Sequence, residues 1–368
     1  MNPVTNCPLS KSATFPTDFS RFYLLAVQLL PTARSSGVNT APINDAGQVA
    51  GVIEAEGYLP FLWQAGAVTR LPLLPGTITG GVTALVAGIN ASGTVVGFNG
   101  VWRGNARNVA VRWQGGTVTD LGLDYGEATA INDSGDIAIN LNGGAVLSGA
   151  STNRVDVPGL DPNYGLTQAL DLNNADQVCG VYTVNMTVDS HHHAFLWQGG
   201  LGTPLSEYPS GAISQSKAVA LNNHGHAVGW ATRGASDNPA LLWRDGTLTN
   251  LSDLPEVKAA GWSGLTARDI NDHNQIVGFG YHGGLMRAFL LSPVIVPVLA
   301  LTRSGTEVVV SFPTQTGVSY QLQSSTDLTT ASWLDIGVPY VGTGGVLSTP
   351  LPIGPESRKF FRLHLLDN

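Results

Sequence analysis

The chain has little charge, almost no sulfur and no long apolar run. Only 12% of its 368 residues are charged, with a formal net charge of -8. Its 18 Lys and Arg form no basic cluster, which excludes nucleic acid or an anionic membrane surface as the expected partner, since both require concentrated positive charge. Two cysteines, Cys7 and Cys179, are too few for a disulfide framework. No stretch approaches the roughly 18 to 20 apolar residues that cross a bilayer as a helix, so no transmembrane segment is expected. A long helical period, a Gly-rich phosphate loop and a Gly-x-Ser-x-Gly elbow are also missing. What is present is 43% hydrophobic residues, 45 Gly and 21 Pro, with short Val, Leu, Ile and Thr runs between turn residues. That pattern predicts many short strands, in a chain long enough for two compact units.

Six times an aliphatic residue is followed by Asn and a turn, at Asn44, Asn90, Asn132, Asn173, Asn222 and Asn271. Three residues later stands Gly47, Gly93, Gly135, Asp176, Gly225 or Asn274. These residue types tolerate positive φ, so each copy is expected to keep a left-handed position at one point of a hairpin turn. The Asn side chain is expected to tie down the turn backbone. A second strand follows, as in Thr94-Val95-Val96-Gly97, then a third such as Ala110-Val111-Arg112-Trp113, then a fourth such as Thr117 to Leu121. Four antiparallel strands in about 40 to 50 residues predict one propeller blade per copy. Cys179 lies in such a second strand and reads as a buried core thiol.

The sixth copy runs out after its third strand, while Tyr23 to Leu30 stands upstream of the first Asn at the spacing of a fourth strand. The expected fold is therefore all-β: a six-bladed β-propeller over residues 21–293, closed by an N-terminal strand, followed by a small β-sandwich over 294–368. Residues 1–20 read as a poorly ordered extension. Phe22 to Leu30 also has the outline of a secretory signal, but a closing strand removes an open sheet edge. Copy three departs most, with Ile139 in place of the second-strand Gly and Ala145 to Ser148 in place of a Trp-ending strand.

The recurring Ile-Asn, Gly, Val-Val-Gly and Ala-Phe-Leu-Trp elements, with His193-Ala194-Phe195 in one copy, resemble the extracellular HAF-repeat family over residues 20 to 293. That resemblance implies a repeat propeller, a bacterial exported protein and no established catalytic residues. The segment Tyr320 to Leu328, with Trp333 and Lys359 to Leu363, resembles fibronectin-like modules that close secreted proteins of planctomycete and verrucomicrobial type. Six short strands are expected there, around Leu299, Val308, Tyr320, Trp333, Leu347 and Phe361.

Function is less legible. Asp171 and Asp269 stand two residues before their Asn on expected innermost strands, where they could face one another, with His224 and His273 nearby as metal-ligand candidates for Ca or Zn. No cofactor is otherwise predicted. His191 to His193 read as a solvated entry to a third strand. Trp63, Trp113, Trp197 and Trp243 are expected to fill the gap between adjacent sheets rather than to stack on sugars. Long loops after the second strands supply rim-contact candidates Trp102, Arg103, Arg107, Tyr182, Asn185, Trp230 and Arg233. The favoured expectation is a noncatalytic, monomeric, extracellular or cell-surface propeller that binds a protein, glycan or envelope component. The alternatives are a metal-dependent hydrolase or lyase with its site at the axis, and a structural repeat protein without a discrete ligand.

Overall fold

The structure is a computed structural model that describes residues 22–25, 42–53, 58–65, 67–78, 83–102, 104–142, 144–149, 152–155, 167–184, 191–207, 215–232, 239–293, 297–315, 318–327, 329, 332–356 and 358–366. The expected extension over residues 1–20 lies outside them. Among the described residues the chain is all-β apart from a five-residue α-helix and a three-residue 3-10 helix, Leu251–Asp253, just before it, and it divides into two compact units, Tyr23–Ser292 and one containing Pro293–Asn368.

In the first unit each repeat makes its own small antiparallel sheet. Strand β1 is Phe22–Leu25. Repeat 1 gives β2 (Val49–Ile53), β3 (Leu59–Gln64) and β4 (Ala67–Arg70). Repeat 2 gives β5 (Ala84–Ile89), β6 (Val95–Trp102), β7 (Ala106–Gln114) and β8 (Thr117–Asp124). Repeat 3 gives β9 (Glu127–Ile131), β10 (Ile137–Leu141), β11 (Gly144–Ser148) and β12 (Thr152–Val155). Repeat 4 gives β13 (Thr167–Leu172), β14 (Val178–Val184), β15 (His191–Gln198) and β16 (Leu201–Pro204). Repeat 5 gives β17 (Gln215–Leu221), β18 (Ala227–Thr232), β19 (Ala240–Arg244) and β20 (Thr247–Asn250). A connection containing helix α1 (Pro255–Ala259) leads to repeat 6, with β21 (Trp262–Ile270), β22 (Ile276–His282) and β23 (Leu285–Pro293). Strand β1 pairs with β23 as the fourth strand of that last sheet.

In repeat 1 the described part of the first strand begins at Pro42: Ile43 bridges Val49, and Pro42, which has no N–H to give to a ladder, offers its carbonyl to Ala50 N–H at 3.0 Å. Repeat 3 keeps the four-strand plan despite its divergent sequence.

The turns follow the sequence closely. Gly47, Gly93, Gly135, Asp176, Gly225 and Asn274 all take positive φ, from 56° at Asp176 to 90° at Gly135. Next to each turn, repeats 2 to 6 carry a bulge in the first strand, at Ala87, Thr129, Leu170, Val219 and Arg268. The bulge presses backbone against the second strand: a Cβ on Gly97, Gly180, Gly229 or Gly278 would sit 1.8 to 2.0 Å from a carbonyl oxygen of the facing strand. Hence the third residue of the second strand is Gly in those repeats.

Successive first strands pack on one another, β5 on β9, β9 on β13, β13 on β17 and β17 on β21. Their apolar faces merge with those of the second and third strands into buried clusters between neighbouring sheets. Trp113, Trp197 and Trp243 are buried there, while Trp63 is 37% exposed. Trp113 Nε1 donates to Pro72 O at 2.7 Å and Trp243 Nε1 to Ser206 O at 2.8 Å, tying each ring to the chain leaving the preceding repeat. Buried this way, these three rings offer no platform to a sugar.

The second unit contains two three-stranded sheets. One has the order β24 (Ala300–Ser304), β25 (Glu307–Pro313) and β28 (Val346–Pro352); the other has β27 (Leu334–Val341), β26 (Ser319–Ser325) and β29 (Phe360–Leu366). Phe312 of the first sheet meets Tyr320 and Tyr340 of the second at ring distances of 5.8 and 5.9 Å.

Candidate functional site

Residues of the first strands and their turns line two cavities. All six repeats contribute to the first, a depression of about 400 Å³ bordered by Asn44, Asn90, Asn132, Asn173, Asn222 and Asn271. Farther along the strands lies a second cavity of about 420 Å³, walled by small and apolar residues together with Asp171, Arg268 and Asp269.

At the first end the polar groups are already engaged. Each repeat Asn accepts the N–H four residues on through Oδ1, at 2.9 to 3.0 Å, closing its own turn. Its Nδ2 donates to the carbonyl of the next repeat's Asn, from Asn44 to Asn90, Asn90 to Asn132, Asn132 to Asn173, Asn173 to Asn222, and Asn222 to Asn271. Asn271 instead donates to Gln275 within its own turn. A second ladder runs outside the first: the N–H of Ala91, Asp133, Asn174 and Asn223 each donates to the Asx side chain of the following repeat. The turn Asn thus fastens one sheet to the next as well as closing its own hairpin.

Asp171 and Asp269 project into the inner cavity from β13 and β21. Asp171 accepts N–H from Leu172 at 2.8 Å and, across the repeat boundary, from Leu221 at 2.7 Å. Burial and the Asp269 charge nevertheless push its carboxyl up to about 7, against the pull of those two bonds. Burial raises Asp269 as well, opposed by its bond from Ile270. Asp171 is half-buried and Asp269 is exposed on the cavity wall, so both carboxyls are placed to share protons with a ligand or solvent.

The histidine candidates do not join them. His273 borders the Asn-lined end, and His224 stacks on His226 at 5.8 Å. Both act electrostatically on Asp272, which burial pushes up but bonds from Asn223 and these histidines hold below its ordinary value. The four metal candidates are therefore split between two places, and no three His, Cys, Asp or Glu side chains converge on one point among the described residues.

The rim candidates fare unevenly. Trp102 is 64% exposed at the end of β6. Arg107 belongs to β7 rather than to a loop, and its guanidinium is held by Asp124 and Asn105 and lies over the Tyr125 ring at 5.3 Å. Tyr182 is a correction: it is a buried β14 residue packed on His193 and Phe195, its hydroxyl pushed up by burial and by Glu207. Trp230 lies half-buried within β18, opposite Lys217. Arg103, Asn185 and Arg233 lie outside the described residues. His191 to His193 also differ from expectation, forming the half-buried start of β15, where His193 pairs with Glu207 at 2.7 Å and His192 with Thr183 at 2.9 Å. Cys179 is fully buried, 3.6 Å from Ala218 O, and burial drives its thiol well above the usual range. A thiol so placed is no nucleophile. Arg268, which lines the inner cavity, was missed because a lone cation in one copy of a repeat gives no pattern to notice.

No family model and no curated protein matches the chain. Among solved structures, it is similar to one from a structural and mechanistic study of two prolyl endopeptidases, at 12% identity and a TM-score of 0.39. The match covers 88% of this chain and 50% of that one, so the chain spans half the length of its structural neighbour. No helix among the described residues is long and apolar enough to cross a membrane.

Proposed function

We propose that the repeat unit is a six-bladed β-propeller closed by β1, that the second unit is a fibronectin-like sandwich, and that the protein is a noncatalytic exported or cell-surface binder of a protein, glycan or envelope component. The observation that carries this reading is the use of the recurring polar residues: the Asn and Asx side chains of the turns bond repeat to repeat, and the candidate ligands for a metal stand apart. What stays accessible is the channel and exposed rim groups such as Trp102. Export and bacterial origin rest on the resemblance to HAF repeats. The test is biosensor titration of the immobilised full chain with purified envelope polysaccharide, cell-wall fragments and surface protein. Saturable binding that weakens in Trp102→Ala is expected; linear, nonsaturating signals for every class refute it.

A metal-dependent hydrolase or lyase is the second reading, favoured by Asp171 titrating near 7 beside Asp269. Metal analysis of unchelated protein, followed by calcium titration of thermal unfolding, separates the two. A stoichiometric ion whose stabilisation disappears in the Asp171→Ala, Asp269→Ala double variant moves the enzyme reading first.

A further inference from the structure

The longest described second strand of the repeats is β6, with 8 residues against 5 to 7 in the others. Its register with β7 runs unbroken from Val95 opposite Trp113 to Trp102 opposite Ala106. Trp102, the last residue, is 64% exposed, although its backbone is fixed on both edges, by Ala106 on one side and on the other by the Gly76 carbonyl, which accepts the Trp102 N–H at 3.0 Å. Its indole has no ring contact and no hydrogen bond among the described residues. A rigid strand thus presents a large aromatic face that no described side chain covers.

Alternate residues of a strand share a face, so Trp102 projects on the side of the sheet that holds Ala106, Asn108 and Ala110. Ala110 belongs to the buried cluster between repeats 2 and 3, which puts Trp102 at the outer end of that boundary. Ala106, directly opposite, is small and exposed. Asn108 is the diagonal neighbour, at a Cβ separation of about 7 Å, close enough for one ligand to touch both side chains. Across the boundary, Asn108 Nδ2 donates to Glu127 Oε1 at 2.8 Å, from the first residue of β9. That bond leaves Asn108 with its Oδ1 and one N–H, and Glu127 with its Oε2, free of other partners among the described residues.

An indole face is matched by an apolar surface laid flat on it, and an amide beside a carboxylate is matched by groups that both donate and accept. A pyranose offers the two together, C–H groups on its face and hydroxyls around its edge. An ammonium ion would satisfy the indole and the carboxylate but leave the Asn108 N–H without an acceptor. We propose that Trp102, Asn108 and Glu127 bind one neutral sugar ring of a glycan, Trp102 stacking on the ring face while the Asn108–Glu127 pair holds two neighbouring hydroxyls. The Glu127 carboxylate repels acidic sugars, which sets the preference for a neutral one. The site rests on the binding reading above and selects glycan from its ligand classes.

The test is saturation-transfer NMR of the full chain at pH 7, titrated with methyl glucoside, methyl galactoside, methyl mannoside or methyl N-acetylglucosaminide, and separately with methyl glucuronide and choline chloride. Saturable transfer to the ring C–H protons of at least one neutral glycoside is expected, with none to glucuronide or choline. Trp102→Ala is expected to abolish it and Trp102→Phe, which keeps a smaller ring, to retain it more weakly. Asn108→Ala and Glu127→Ala are each expected to raise the dissociation constant about tenfold, the size of one lost polar contact; unchanged unfolding midpoints in these surface variants show that the fold is intact. Silence from all four neutral glycosides, transfer confined to glucuronide or choline, or equal transfer in Trp102→Ala overturns the proposal. Biosensor capture of a surface protein that weakens in Trp102→Ala while every glycoside stays silent leaves the binding reading standing and removes only the sugar site.

Discussion

Replacing Asn90 by Ala tests whether the turn Asn is a fastener between sheets. Asn90 is 5% exposed; its Nδ2 donates to Asn132 O at 3.0 Å and its Oδ1 accepts from Thr94 N–H at 3.0 Å and Ser92 Oγ at 2.8 Å. The substitution takes one bond from the Asn132 carbonyl, which keeps the Gly135 N–H at 3.1 Å, and strands the buried Thr94 N–H in its own turn. At about 1 kcal/mol for each of these two lost bonds, with a further penalty of similar size for the stranded N–H, the expected loss is about 3 kcal/mol. Asn271 has the same motif position but is exposed, and its Nδ2 reaches only Gln275, so Asn271→Ala is expected to cost about 1 kcal/mol. Asn90→Asp is a further control. It keeps the acceptor for Thr94 but places a carboxylate against the Asn132 carbonyl, and is expected to lose at least as much as the alanine. Urea unfolding at 25 °C measures all three. Equal losses at positions 90 and 271, or an aspartate that behaves like wild type, would refute the fastening role.

Other perturbations probe the same architecture. Gly97→Ala, whose Cβ would lie 1.9 Å from Leu85 O, is expected to cost more than about 3 kcal/mol, whereas Gly115→Ala at φ 57° in open space is expected to cost about 1; the urea midpoints of the two variants decide it. Trp113→Phe removes the bond to Pro72 and part of a side chain that is 1% exposed, and is expected to cost about 2 kcal/mol by the same measurement. The Asp171 carboxyl titrates at about 7 when folded against 3.8 ordinarily, so between those values the folded state holds the extra proton. Its contribution is fully present below 3.8 and is lost as pH rises through 7. Wild type is therefore expected to lose stability relative to Asp171→Asn as pH rises from 4 to about 7, and parallel pH profiles of the two proteins would contradict that.

Sequence legibility followed interaction range. The positive φ at the six repeat turns, Gly47, Gly93, Gly135, Asp176, Gly225 and Asn274, was readable because the need for a left-handed residue is local to one turn. The six strands of the second unit were readable for a similar reason, since short apolar runs between turn residues name strands wherever they later pack. Arg107 was misread as a rim contact because Asp124, its partner, lies on the next strand of the same sheet. Tyr182 was misread because the burial of a strand end depends on what packs across it, here His193 and Phe195.

By itself, then, the sequence determined the repeat, its turns, the glycine at the close approach and the strand of N-terminal residues available to the last sheet, all properties of backbone conformation over a few neighbouring residues. Only the tertiary structure decided that Asn132 reaches Asn173 across 41 residues and that Asp171 answers to Leu221 and Asp269. Those pairings depend on the angle and spacing between whole sheets. That geometry comes from the packing of their apolar faces, and no single repeat encodes it.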